Sequence, residues 1–417
     1  MKQTMNILIT ILFTTLFWAC EKSDLPIDPP VEVIEDLEIE WATRLDFDKE
    51  IVGTDNTQHY KEWVIVGGDI NDPPTLLAFN KDTGEKDWEL IFDEFPDGKI
   101  NLSKIFNNNY IAQTGRRVFG IDLDSKAILW QKNFHEMNIN LGRGVIASNG
   151  MYYQVGTWNF NPSGGGVAHM YEIDPYSGDY NQVYAKAPDS IGTTTVSPPV
   201  VWEDTENGRS LLIFNERPNA ELSPPLTSQY LVSINLTTKE RVWETKVTNE
   251  FASNGLHPPI IYDNRIVITG GHNSIYGFDI NTGAKLWAYE DENSLGLAQW
   301  GKTNHLIHDN RLYVNETGED VSCLDPETGT LIWDNIKGGA NCTDNMHYYE
   351  KEDLLVFTSW GYGSVMVLDA LTGETLHREI QYDNSPYNSD VVYDEERDLF
   401  MTSTYKHAVA FKVRRTE

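Results

Sequence analysis

Apolar residues along this chain come in runs of four or five, such as Leu76-Leu77-Ala78-Phe79 and Val365-Met366-Val367-Leu368, and each run ends in a short polar stretch. Runs this short, bounded by Asp, Asn and Gly, predict β-strands and turns rather than helices. The polar stretches repeat. An Asp or Asn is followed eight residues later by Trp in Asn80 to Trp88, Asp122 to Trp130, Asn235 to Trp243, Asp279 to Trp287 and Asp325 to Trp333. Two further copies keep the turn and lose the Trp: Asp174, where Gln182 takes its place, and Asp369, where His377 does. In such a unit the Asp or Asn side chain accepts hydrogen bonds from backbone N–H groups ahead of it. A following Thr-Gly then closes the turn with the positive φ that glycine adopts freely. A second hairpin lies upstream, as in Pro259-Ile260-Ile261-Tyr262, the turn Asp263-Asn264, and Arg265-Ile266-Val267-Ile268-Thr269. The predicted unit is a four-stranded antiparallel meander.

Successive Trp-equivalent positions are 42, 52, 61, 44, 46 and 44 residues apart. A period in the forties fits one blade of a β-propeller. The two long steps locate insertions, read as loops over Gly156–Gly166 in the third unit and Glu216–Pro225 in the fourth. The chain ends also match. Ile39-Glu40-Trp41 reads as an outer strand with its Trp and no preceding turn, whereas His407-Ala408-Val409-Ala410-Phe411 reads as a third strand with no Trp strand after it. The N-terminal strand is therefore expected to complete the C-terminal blade, giving an all-β, eight-bladed β-propeller over 37–417. Closure would remove the sheet edges that otherwise invite aggregation, and about 48 residues per blade leave none for a second domain.

The repeat resembles the pyrroloquinoline-quinone-like (PQQ-like) β-propeller family, whose blades carry an Asp-x-x-Thr-Gly-x-x-x-Trp docking motif. The resemblance implies a structural role between blades for Trp41, Trp88, Trp130, Trp243, Trp287 and Trp333, with looser joints where Gln182 and His377 stand.

The N-terminus changes the picture of where the ring resides. Lys2 and the short apolar run from Ile7 to Phe17 read as a signal peptide over 1–19. Phe17-Trp18-Ala19-Cys20 resembles a bacterial lipobox, which implies cleavage before Cys20 and its acylation, palmitate included. Residues 20–36 are acidic and Pro-rich, as a tether would be. The expected location is the cell outer membrane, reached through the lipid anchor alone. Glu21-Lys22-Ser23-Asp24 resembles a surface-export signal. The 417 residues carry 63 Asp+Glu against 32 Lys+Arg, a formal net charge of −31. Such a surface repels phosphate backbones, so nucleic acid is not an expected partner.

Candidate chemistry is sparse. Quinoprotein dehydrogenases of the same family usually carry adjacent cysteines beside the quinone. Here Cys323 and Cys342 are separated, so no cofactor is expected, and their pairing as a disulfide stays an open alternative. Polar residues near the start of each innermost strand are expected around the axis: Arg143, His257, His305, Asn345, His347 and Asp390. They are the candidate funnel ligand site, with a water-filled channel as the plainer reading. His305 and His308, three apart on a strand, face opposite ways and cannot share a metal. Trp158, Phe160, Trp300, Trp360 and Tyr362 read as loop aromatics that could stack on sugar or peptide. The leading expectation is a non-catalytic, monomeric envelope lipoprotein scaffold for protein–protein interaction. It is similar in fold to the lipoprotein scaffold of the outer-membrane β-barrel assembly machine. The alternatives are a surface glycan-binding or polysaccharide-processing lipoprotein and a quinone-dependent dehydrogenase.

Overall fold

The structure, a computed structural model, describes 37–45, 57–68, 73–92, 100–134, 137, 139–158, 167–186, 195–217, 227–251, 258–271, 274–290, 305–315, 321–335, 346–359, 364–387 and 389–414. The signal, Cys20 and tether assignments lie outside these residues. The fold is all-β, an eight-bladed propeller of antiparallel four-stranded blades, and no helix occurs among the described residues. Blades 1 to 7 span 57–91, 100–133, 139–186, 195–251, 260–290, 305–335 and 347–380. Blade 8 joins 392–412 to the N-terminal strand Glu38–Arg44. That strand pairs with His407–Lys412, for example Ala42 with Val409, so the two chain ends close the ring as the repeat count predicts. Within each blade the strands run A to D from the axis outward.

Local chemistry shapes the turns. Asp263 and Asn264 both take positive φ, 47° and 53°, as a two-residue hairpin with matching twist requires. In the C–D turn of blade 5 the Asp279 carboxylate accepts from the backbone N–H of Asn281 and Thr282 and from the Thr282 hydroxyl, at 3.2, 2.8 and 2.7 Å. Both faces of every blade are covered by neighbours. The buried apolar residues form eight clusters, one in each joint between consecutive blades. The cluster of Leu399, Met401, Ala408 and Ala410 against Val64, Val66, Leu77 and Phe79 seals blade 8 to blade 1.

Each docking Trp sits in a slot that two other positions must leave open. Its cross-strand partner is small: Ala410 for Trp41, Ala78 for Trp88, Gly120 for Trp130, Ser233 for Trp243, Gly277 for Trp287 and Cys323 for Trp333. The ring then reaches the C–D turn of the next blade. A Cβ added to Gly84, Gly178, Gly283, Gly329 or Gly373 would come within 2.4–2.7 Å of Trp41, Trp130, Trp243, Trp287 or Trp333 respectively. The two blades without Trp now have a reason. Gln182 faces a turn with Lys239 in place of that glycine, and His377 faces blade 8, where the chain ends interrupt the turn. Their cross-strand partners are correspondingly large, Tyr171 and Val367. Trp88 is the exception, since its turn carries Lys126, whose ammonium lies 5.8 Å from the ring centre.

The docked indoles differ in one bond. Trp130, Trp243 and Trp333 donate to the carbonyls of Pro175, Ile280 and Ala370 at 3.0, 3.0 and 3.1 Å. The buried N–H groups of Trp88 and Trp287 have no acceptor among the described residues. Trp243→Phe should therefore cost about 1 kcal/mol more than Trp287→Phe, because only the first breaks a made hydrogen bond. Urea unfolding of the two variants measures the difference, and equal losses would contradict it.

Two sequence boundaries need correction. Gly156-Thr157-Trp158 and Glu216-Arg217 belong to the strands Tyr152–Trp158 and Arg209–Arg217, so the insertions are shorter than read and Trp158 is a strand residue. These segments pair along their whole length, which glycine content and insertion length do not reveal. In blade 4, Pro198-Pro199 lacks ladder donors, and the inner strand splits into Thr195–Val196 and Val200–Asp204.

Candidate functional site

Antiparallel strands send alternate connections to opposite rims of the ring. The A–B and C–D turns share one rim and are all described, Asp263-Asn264 and Asp309-Asn310 among the tightest. The B–C and D–A connections leave from the other rim. They include 46–56, 93–99, 187–194, 218–226, 291–304 and 336–345, all outside the described residues, as are Phe160, Trp300, Trp360 and Tyr362.

At the axial mouth beneath that second rim, one connection is bolted down. Tyr387, Ser389 and Asp390 are buried. Ser389 Oγ accepts from the Thr57 backbone N–H at 2.7 Å and lies 2.8 Å from the Thr57 hydroxyl. The Ser389 carbonyl accepts from the hydroxyls of Thr358 and Thr402 at 2.6 and 3.1 Å. Blades 7, 8 and 1 are thus laced together by side chains of the types that line a wet channel elsewhere. A second set joins blades 4 and 5, where the Asn215 amide donates to Thr269 at 2.8 Å and Gln229 donates to Asn215 at 2.9 Å.

The funnel candidates separate. His257 and Asn345 lie outside the described residues, and Arg143 lies within the strand Ile139–Ile146 with its side chain outside the described set. Asp390 belongs to the bolted connection. His305 shares a strand face with Ile307, which packs into the joint between blades 5 and 6. His347 packs on Tyr393 and Phe400 of blade 8, with ring centres 5.1 and 5.7 Å away. The two imidazoles thus occupy different joints. Burial lowers both to about 4, with nearby His59 adding to the effect on His347. Both are neutral at pH 7. Neither ring nitrogen of His305 has a partner among the described residues. Cys323 is a free, buried thiol raised by burial to about 12, opposite Trp333 rather than in a disulfide. Among the described residues no group of three His, Cys, Asp or Glu could hold a metal ion.

The densest titratable cluster was not read from the sequence. Lys81 Nζ contacts Asp394 Oδ2 at 2.5 Å, and the two side chains are 3% and 6% exposed. Arg397 bridges Asp394 and Asp82, at 3.3 and 2.7 Å, and Lys81 Nζ lies 3.0 Å from His59 Nδ1. Burial pushes the Asp394 carboxyl up, but hydrogen bonds from Lys81 and the Arg397 backbone more than offset this and hold it below the usual range. A signal for it exists. The residue after the turn-opening Asp or Asn is Leu123, Pro175, Leu236, Ile280, Pro326 or Ala370 in six turns, and Lys81 alone in that slot is charged.

Comparisons with known proteins bear out the family resemblance read from the repeats. The family described as outer membrane protein assembly factor BamB matches residues 226–414, a little under half of the chain. A quinoprotein ethanol dehydrogenase of Pseudomonas putida is 24% identical over 142 residues, 32% of this chain, and the match spans 22% of the length of that protein. Among solved structures, Saccharomyces cerevisiae Sqt1 matches with a TM-score of 0.63 at 12% identity, over 91% of this chain and 100% of its own. A quinohemoprotein alcohol dehydrogenase from Pseudomonas putida HK5 matches with a TM-score of 0.60 at 12% identity, over 91% of this chain and 77% of its own. At such identities the structural likeness carries the fold alone.

Proposed function

We propose that this chain is a non-catalytic scaffold of the bacterial cell envelope, lipid-anchored through Cys20, that docks a protein partner on the rim formed by its B–C and D–A connections. The observation that carries this reading is the difference between the rims. One consists of short turns in which the opening Asp, as in Asp279 and Asp325, accepts from backbone N–H groups ahead of it. The other receives every long connection, and a rigid ring presenting varied loops is a common arrangement for recognition. The match of 226–414 to an outer-membrane assembly factor family supports a role in protein assembly.

A photo-crosslinking residue placed at Arg116 or Gly271, on the loop rim, should capture a discrete envelope protein. One at Asp263 or Glu352, on the turn rim, should not. Equal capture from both rims, or none from either, would count against the scaffold. Cys20→Ser should move the protein from the membrane to the soluble fraction. Glycan binding by the loop rim, or alcohol oxidation after reconstitution with quinone and Ca²⁺, would replace the scaffold with one of its rivals.

A further inference from the structure

The closing joint of the ring carries a device that the other joints lack. Lys81 holds both sides of blade 8 at once. Its carbonyl accepts the Trp41 indole N–H of the N-terminal strand at 2.6 Å, and its ammonium binds Asp394 of the innermost hairpin. Two residues further along the same strand, Thr43 donates to the Gly84 carbonyl at 2.5 Å, so the outer strand is tied to the same turn of blade 1. A single turn, 80–85, thus anchors the two ends of the chain to each other.

His59 decides whether that anchor is charge-balanced. Lys81 Nζ has three protons to give and no lone pair to offer. Its 3.0 Å contact with His59 Nδ1 is a hydrogen bond only when that nitrogen is unprotonated. An imidazolium would turn the contact into two like-charged donors face to face. The charged and titratable groups that act on His59 are Lys81, Asp394 of blade 8 and His347 of blade 7, and behind Asp394 stands Arg397, which also binds Asp82 on the Lys81 turn. The two buried charges, Lys81 and Asp394, cancel while His59 is neutral, and Arg397 is shared among Asp394, Asp82 and the exposed Glu396. Protonation of His59 adds a positive charge beside Lys81, whose one carboxylate partner, Asp394, is already shared with Arg397.

We propose that the joint between blades 8 and 1 is a pH-operated latch, in which neutral His59 seats Lys81 on Asp394 and protonated His59 unseats it, loosening the N-terminal strand from blade 1. Burial, and then the Lys81 ammonium, already depress the basicity of His59, so the latch is shut at neutral pH and opens on acidification. His407 of blade 8, facing Asp383, Tyr382, Arg44 and Lys406, is depressed by burial in the same sense.

Hydrogen exchange on the full chain tests this, with rates corrected for their intrinsic pH dependence. Between pH 7.5 and 5.0, amides in 38–44 and 77–85 should lose at least tenfold more protection than amides in 110–121, in the joint between blades 1 and 2. His59→Gln keeps an acceptor for Lys81 and does not titrate, so it should retain the pH 7.5 protection and abolish the selective loss. Uniform loosening around the ring would overturn the latch, as would a His59→Gln protein as acid-sensitive as the parent. Should that variant fail to fold, the imidazole resonances of His59 in the unaltered chain provide the check. Loss of protection in 38–44 must set in below about pH 6.5, the ordinary imidazole value, and level off at the titration midpoint of His59; a loss confined to pH values below that midpoint refutes the proposal.

Discussion

Trp333→Ala is expected to lower the stability of the ring by about 3–5 kcal/mol, the range for deleting a large buried aromatic. Trp333 is 9% exposed, its ring is tilted at 44° to that of Tyr313 with centres 6.0 Å apart, and its indole N–H donates to the Ala370 carbonyl. Removing it strips contacts from two blades together, because the slot is built from Cys323 of blade 6 and Gly373 of blade 7. The cavity cannot collapse easily: Gly373 holds φ +79° in a turn whose N–H bonds to Asp369 at 2.8 Å. Gly373→Ala should destabilise from the other side, by strain at positive φ and by a Cβ 2.4 Å from the indole. The two changes share one contact, so the double variant should lose less than the sum of the singles. Urea unfolding of all three proteins measures this, and strict additivity would mean that the glycine is not there for the Trp.

This slot explains how far the sequence could be read. The spacing from Asp or Asn to Trp is fixed by a turn and one strand, both local, so it survives in five copies and exposes the period. Ring closure was legible for the same reason, since Trp41 lacks a preceding turn and His407–Phe411 lacks a following Trp. The axial site was less legible. Inner strands such as His305–His308 and His347–Tyr349 have four and three residues and are covered on both faces, so no alternation of polar and apolar tells which joint a side chain enters. His305 and His347, both near the start of inner strands, consequently face different joints. Lys81 and Asp394 are 313 residues apart in sequence, and only their exceptional place in the repeat could have paired them.

The blade 3 to blade 4 joint shows what replaces a docking Trp. Tyr184 packs on Phe214 with ring centres 4.7 Å apart, and the buried Glu216 carboxylate binds both the Tyr184 hydroxyl and Lys186. Arg217 beside it is lowered by burial to about 10. This joint therefore adds a buried ion-paired carboxylate to its apolar cluster. The closing joint likewise holds a buried ion pair, Lys81 with Asp394, beside its docking Trp41 and its apolar cluster.

Lys81→Met is expected to cost about 3–5 kcal/mol, more than its loss of volume would suggest, because it leaves a buried carboxylate short of its nearest cation. Asp394 would keep Arg397 Nη1 at 3.3 Å and the Arg397 backbone N–H at 3.1 Å, but its 2.5 Å partner would be gone. Lys81→Met combined with Asp394→Asn should recover part of the loss, since no unpaired charge then remains buried. The pH dependence separates this pair from the histidines. His305 and His347, at about 4 in the fold and near 6.5 unfolded, bind more protons in the unfolded chain between those values. Stability they contribute is present above pH 6.5 and is lost as pH falls toward 4. Asp394 is held below its unfolded value of 3.8, so its contribution is present above that pH and is lost only as pH falls further, through its folded value. Unfolding free energies measured from pH 7.5 to 3 should therefore decline in two stages. The double variant should lose the share of the second stage that Asp394 supplies, keep the share of Asp204 and Asp398, whose carboxyls are likewise held below the usual range, and keep the portion of the first stage that His305 supplies. A single decline below pH 4 in the unaltered chain would contradict the burial of these imidazoles as neutral groups.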